Sequence, residues 1–281
     1  MMAQPKGRFS KRPGALRRAV LILLGTALAG ACAFAAWFYS MMTNPPPASH
    51  RAALVDLDND GDLDAVLANG INEGATENTL WINQSGAQRG QVGFFAASDQ
   101  RLGRSEYHNL AAGDLDGDGD VDLLFGCTWN ELHLFINQGG AQGGETGRFG
   151  PAQVLTGGSY WGGMHPTGLG DLDGDGDLDI LSGNCCGGMM SRDNAEPERL
   201  PAYIVRWTNT SGEAGAGEST GGPQFQSTAM PVEAMDGTEA LALGDLDGDG
   251  DLDVFMARTM EKVGPENSYR RRTAYRVMWN D

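Results

Sequence analysis

Four nine-residue segments of this chain match almost letter for letter. They are residues 56–64 (DLDNDGDLD), 114–122 (DLDGDGDVD), 171–179 and 245–253 (both DLDGDGDLD). Their starts are 58, 57 and 74 residues apart. Self-similarity at such a period means one supersecondary unit used repeatedly, each unit burying its apolar face against the next. The flanks repeat as well. A short run of small and apolar residues precedes each segment (52–55, 110–113, 167–170, 241–244), and an apolar strand follows it (65–68, 123–126, 180–183, 254–257). A third strand ends on asparagine at Asn83, Asn137, Asn209 and Asn280. A Gly-rich loop follows in the first three units, and a fourth strand is expected near Phe94, Phe149 and Phe225. No stretch shows strong helical periodicity. The expected fold is all-β: a β-propeller-like array of four blades, the last incomplete, preceded by an N-terminal transmembrane or signal helix.

The aspartates sit where a hard cation needs oxygen. In the first segment Asp56, Asp58 and Asp60 take positions one, three and five. Gly61 at six permits a tight turn. Asp62 at seven offers its backbone carbonyl, and Asp64 at nine closes the ring. The same places are filled by Asp114, Asp116, Asp118, Asp120 and Asp122 in the second segment. Asp171, Asp173, Asp175, Asp177 and Asp179 fill them in the third, and Asp245, Asp247, Asp249, Asp251 and Asp253 in the fourth. This is the oxygen-rich first part of an EF-hand loop. The glutamate an EF-hand carries at position twelve is absent: Leu67, Phe125, Ser182 and Met256 stand there. Up to four Ca2+ ions are expected, one per loop, because calcium accepts six to eight oxygens in flexible geometry and magnesium resists losing its waters. Leu57, Leu115, Leu172 and Leu246 place an apolar peg at position two of every loop, so each loop specifies a shape as well as a charge.

Charge separates the chain into two parts. Residues 1–50 hold six basic residues and no acid; beyond them 37 acids stand against 14 lysines and arginines, a net charge of −23. A body this acidic repels phosphate backbones, so no nucleic-acid partner is expected. Four parts follow: a basic cytoplasmic N-terminus (1–18), an uncharged apolar segment (19–39), a Pro-rich linker (40–49) and the repeat body (50–281). The apolar segment is long enough to cross a bilayer, and the positive-inside rule exports the body. An uncleaved single-pass anchor is the preferred reading. A cleaved signal peptide, with small-residue sites at Ala31-Cys32-Ala33 and Ala33-Phe34-Ala35, is the alternative and makes the body secreted. In an oxidising compartment Cys127 can pair with Cys185 or Cys186.

The aspartate loops in this strand setting resemble the FG-GAP/VCBS repeat family, the repeats of integrin-α-type propellers. The D-x-D-x-D-G-x-x-D match holds in all four copies, while the name-giving FG survives only at Phe149-Gly150. The resemblance covers residues 50–281. It implies a β-propeller, surface exposure, and adhesion or ligand binding, with an extracellular protein or glycan as partner. Integrin-type propellers usually have seven blades, so four repeats imply either a closed small ring or an open array, with self-association through the incomplete last blade.

Two weaker readings accompany this one. His50, His108 and His165 each lie six residues before a loop, and Glu239 takes that place in the fourth repeat. Around one channel mouth they would form a transition-metal ligand set; hydrogen bonding to neighbouring loops is the simpler account. No nucleophile motif, phosphate loop or zinc-protease signature appears, so no catalytic residues are assigned. A lectin or carbohydrate-active enzyme on the same scaffold is the alternative, with Tyr107, Trp129, Tyr160 and Trp161 as stacking residues or simply as core.

Overall fold

The computed structural model describes residues 49–69, 76–85, 90, 93–105, 107–127, 131–156, 164–184, 203–211, 222–231, 238, 240–262, 269–278 and 280. For 49–50, 76, 104–105, 107–108, 141, 164–166, 184, 203, 231, 258–262 and 269–274 the description is of backbone alone. The basic terminus and the apolar segment lie outside these residues, and no described helix is long and apolar enough to cross a membrane.

The described chain is all-β and forms four antiparallel sheets. The first joins β1 (Ser49–Val55), β2 (Asp64–Asn69), β3 (Thr76–Asn83) and β4 (Phe95–Ala97) in that order, with β5 (Leu102–Ser105) pairing β3. The second runs β6 (Tyr107–Gly113), β7 (Asp122–Cys127), β8 (Glu131–Phe135) and β9 (Gln153–Thr156). The third is β10 (Met164–Gly170), β11 (Asp179–Asn184), β12 (Tyr203–Asn209) and β13 (Phe225–Pro231). The fourth has three strands among the described residues: β14 (Ala240–Gly244), β15 (Asp253–Lys262) and β16 (Tyr269–Met278). One short 3-10 turn, Gly140–Gln142, interrupts the second glycine loop. In every unit the aspartate loop is the hairpin connection between first and second strands, as the repeat pattern requires.

The sheets follow one another in series, with β1 beside β6, β6 beside β10, and β10 beside β14. Three cores fill the junctions. Between the first two sheets lie Leu57, Val66, Leu80, Leu123, Phe125 and Phe135, the last two rings meeting edge to face at 5.7 Å. Leu115, Leu124, Leu132, Leu134, Ile180 and Trp207 fill the second junction, and Leu172, Leu181, Ile204, Val254 and Met256 the third. The position of a sheet in the series is written in its strands. β7 has neighbours on both faces, so all six of its residues are buried. β2 has a neighbouring sheet on one side, and its residues alternate between buried and half-buried.

Each junction is also bolted by polar contacts. Asn137 Nδ2 donates to Leu57 O of the preceding loop at 3.1 Å, Asn209 Nδ2 to Leu115 O at 2.9 Å, and Asn280 Nδ2 to Leu172 O at 3.1 Å. Apolar side chains close the same seam. A methyl group built on Gly113 would stand 2.9 Å from Leu178 Cδ1, and one on Gly170 only 2.6 Å from Leu252 Cδ1. Glycine at these positions lets the next sheet approach.

The first strands share a backbone irregularity. Their register shifts between Ser49 and Arg51, between Tyr107 and Asn109, and between Met164 and Thr167. Each shift spans one of the histidines of the candidate second metal site. The side chains of His50, His108 and His165, and all of Glu239, lie outside the described residues.

Candidate metal centre

The loops hold their shape through backbone that only particular residues adopt. The glycine at position six has φ of 93°, 94°, 95° and 103° in the four loops (Gly61, Gly119, Gly176, Gly250). Position four also lies in the left-handed region: Gly117, Gly174 and Gly248 have φ of 77°, 77° and 86°, and Asn59 has 56°. Asparagine is the side chain that tolerates this region best, which explains the one departure from glycine. The first aspartate gathers the turn. Asp114 Oδ1 accepts from Gly117 N at 2.8 Å and Asp118 N at 3.1 Å, and its Oδ2 from Gly119 N at 2.9 Å. Asp171 repeats this pattern, and Asp56 and Asp245 repeat part of it. Asp60, Asp118, Asp175 and Asp249, at position five, each accept from the amide of position seven.

The ninth aspartate has a second role. Asp122 is buried, and its two oxygens accept from Leu115 N and from Asn137 N, both at 2.8 Å. Asp64, Asp179 and Asp253 make the corresponding pairs of bonds, to Leu57 and Asn83, Leu172 and Asn209, and Leu246 and Asn280. The carboxylate thus staples the loop to the end of the third strand. The terminal asparagines repeat in the sequence at the same place in each unit, which is the signal from which this staple could have been read.

Four groups of carboxylates converge so that one oxygen from each member lies within 4.8 Å of the others. They are Asp56, Asp58 and Asp64; Asp114, Asp116 and Asp122; Asp171, Asp173 and Asp175; and Asp245, Asp247 and Asp253. Positions one and three therefore converge in every loop, joined by position nine in three loops and position five in the third. The position-seven side chains stand outside these groups: Asp62 accepts from Ser85 Oγ and Asp120 from Asn59 Nδ2, a bond from loop to loop.

A cation fits this donor set. Asp116 Oδ1 is buried with no hydrogen-bond donor, an arrangement that costs free energy when left uncompensated. Burial, then repulsion from Asp118 and Asp114, pushes the Asp116 carboxyl up to about 6. Burial, then Asp64, Asp60 and Asp56, does the same for Asp58, also to about 6. Burial outweighs the two backbone bonds at Asp122 and lifts it to about 7. Crowded oxygens that resist ionisation are stabilised by a divalent charge among them, and the all-oxygen set favours calcium among common metals.

The sign of the pH dependence follows. These folded-state values lie above the ordinary 3.8, so between roughly pH 4 and pH 7 the folded chain holds more protons than the unfolded one. In chelator, stability is expected to fall as pH rises through this window. Bound cation favours the ionised carboxylates and should flatten or reverse the trend. Thermal melts at pH 5 and pH 7.5, with and without chelator, measure the difference.

The third loop carries its own cation. Arg206 Nη2 lies 3.0 Å from Asp173 Oδ2 and 3.0 Å from Asp179 Oδ2. Leu80, Leu134 and Val277 occupy the matching place in the other units, three residues before the terminal asparagine. A half-buried guanidinium competes for the charge that a metal would neutralise. The third loop is expected to bind calcium most weakly, and Arg206→Leu to tighten that site about tenfold or more by calorimetric titration.

Cys127 is buried in the first junction, while Cys185 and Cys186 lie outside the described residues, as do Trp129, Tyr160, Trp161 and the Tyr107 side chain. A family model described as an FG-GAP-like repeat matches residues 56–125 and 114–182, each match running from one aspartate loop into the strand after the next. No curated protein matches the chain.

Proposed function

We propose that this chain, whose residues 56–182 belong to the FG-GAP-like repeat family, is an exported, membrane-tethered, calcium-stabilised β-propeller-like module that serves surface adhesion by binding an extracellular protein or glycan. The observation that carries the reading is the convergence of three carboxylates in every one of four equivalent hairpins. Bound there, calcium would supply the positive charge that lets these groups ionise together. Asp56, Asp58 and Asp64 would hold it in the first loop, their equivalents in the second and fourth, and Asp171, Asp173 and Asp175 in the third. The β-propeller-like arrangement is supported by antiparallel meanders packed in series through their first strands. Export and tethering rest on the uncharged stretch of residues 19–39 and the basic residues before it.

A binding role is favoured over catalysis because the clustered carboxylates are committed to loop geometry and to one another. A general acid–base pair needs one carboxylate free to meet a substrate. The full chain applied to arrays of extracellular proteins and glycans, in calcium and in chelator, tests this reading. Binding to a restricted set of probes in calcium, lost in chelator, is the expected result. Polysaccharide turnover by the purified chain would replace it with the enzyme reading.

A further inference from the structure

The three internal junctions show what covers each face of a unit, and among the described residues one copy of each half-junction is left open. At the last sheet, Leu246 is 51% exposed and Tyr275 70% exposed, its ring stacked on Phe255 at 6.1 Å. The residues in the same places one unit earlier are Leu172, Ile204 and Leu181, and all three are buried under the fourth sheet. A methyl group built on Gly244 meets nothing within 4 Å, whereas Gly113 and Gly170 face leucines of the next unit.

At the first sheet the opposite half is exposed. Leu54 is 63%, Leu63 52% and Trp81 37% exposed. Their counterparts two units on are Leu169 and Leu178, which press on Gly113, and Trp207, which is 4% exposed inside the second junction. Large apolar side chains gathered on one face mark a surface made for covering. Asn83 adds the polar part. Its Nδ2 bonds Leu63 O within its own sheet at 3.1 Å, and at every later junction the same asparagine also reaches the preceding loop's leucine carbonyl.

We propose that a second copy of this chain docks head to tail, the first sheet of one copy covering the last sheet of the other. Leu54 and Leu63 then pack over Gly244 and Leu246, and Asn83 Nδ2 donates to Leu246 O. The occupant is specified because the complement of each open face is already present on the same chain, built from equivalent residues in the same geometry. The contact is heterologous, so it closes a ring of chains or extends an array according to the angle of each step. It uses sheet faces, not the hydrogen-bonding edge of the three-stranded last sheet. It depends on the repeat junctions and not on the choice of ligand.

Sedimentation velocity of the full chain in mild non-ionic detergent and calcium, over a range of concentrations, tests it. The native chain is expected to associate as concentration rises. Tyr275→Lys and Trp81→Lys, placed on opposite faces and outside the aspartate loops, should each abolish association while leaving circular dichroism and the melt unchanged. Mixing the two variants should restore a dimer, because each retains the face the other lacks. Should Trp81→Lys fail to fold, Leu54→Lys disrupts the same face. A native chain that stays monomeric, association indifferent to both variants, or a mixture that does not pair would each overturn the proposal.

Discussion

Stripping calcium with a chelator is expected to lower the melting temperature of the full chain by about 10–20 °C at neutral pH. The magnitude comes from linkage. A site that binds the folded state alone contributes about 1.4 kcal/mol when free calcium is tenfold above its dissociation constant. Extracellular calcium modules bind at roughly 0.1–1 mM, so millimolar calcium approaches that condition. Four loops together contribute about 5–6 kcal/mol. For a body of this size each kcal/mol moves the melt by about 2–4 °C. The physical source is visible in the second loop: a buried Asp116 oxygen without a donor, among neighbours of the same sign. Readdition of calcium should restore the melt, and magnesium at equal concentration should restore much less. A melt that does not change in chelator would remove calcium from the account of stability.

Asp122→Ala is expected to destabilise the chain by about 2–5 kcal/mol in calcium and to remain destabilising in chelator. Its two oxygens satisfy the amides of Leu115 and Asn137 inside a buried hairpin, and the alanine leaves both donors orphaned. Asn137 in turn bolts the second sheet to Leu57 of the first, so the damage spreads across a junction. Asp116→Ala provides the contrast. Its Oδ1 is buried with no donor, and burial and like charges oppose its ionisation. In chelator at pH 7.5 this substitution should be neutral or stabilising; in calcium it should destabilise. Denaturant unfolding of both variants, with and without calcium, separates a carboxylate that staples the hairpin as well as ligating from one that only ligates. Identical behaviour of the two would contradict that division.

Much of the fold was legible because repetition writes the same instruction four times. The strand before each loop and the strand after it fall where the repeat placed them, and so do the third strands, although β8 ends at Phe135 and β16 at Met278, two residues before their asparagines. The fourth strands were legible only in part. Phe149 makes an isolated bridge to Asn137 while β9 begins at Gln153, and Phe225 does open β13. β5 was not expected: among the described residues such a strand pairs beside the third strand in the first unit alone, so no repeat announced it. At the loops, residue types pointed to oxygen ligands, but not to the division of labour among them. That the ninth aspartate is a staple depends on where the third strand ends in space. Arg206 was silent for the opposite reason, being a single departure inside an otherwise apolar strand. The position-two leucines read as equivalent pegs in all four loops, yet Leu57, Leu115 and Leu172 are buried and Leu246 is exposed, because covering it takes another sheet.

The most direct measurement is isothermal titration of calcium into the full chain after exhaustive chelation. Uptake approaching four ions per chain is the expected result, with sub-millimolar to millimolar affinity, the weakest site lost when the third loop's Asp171 is replaced. Absence of calcium uptake by the folded chain would contradict the account at its root, because the clustered carboxylates would then need another explanation.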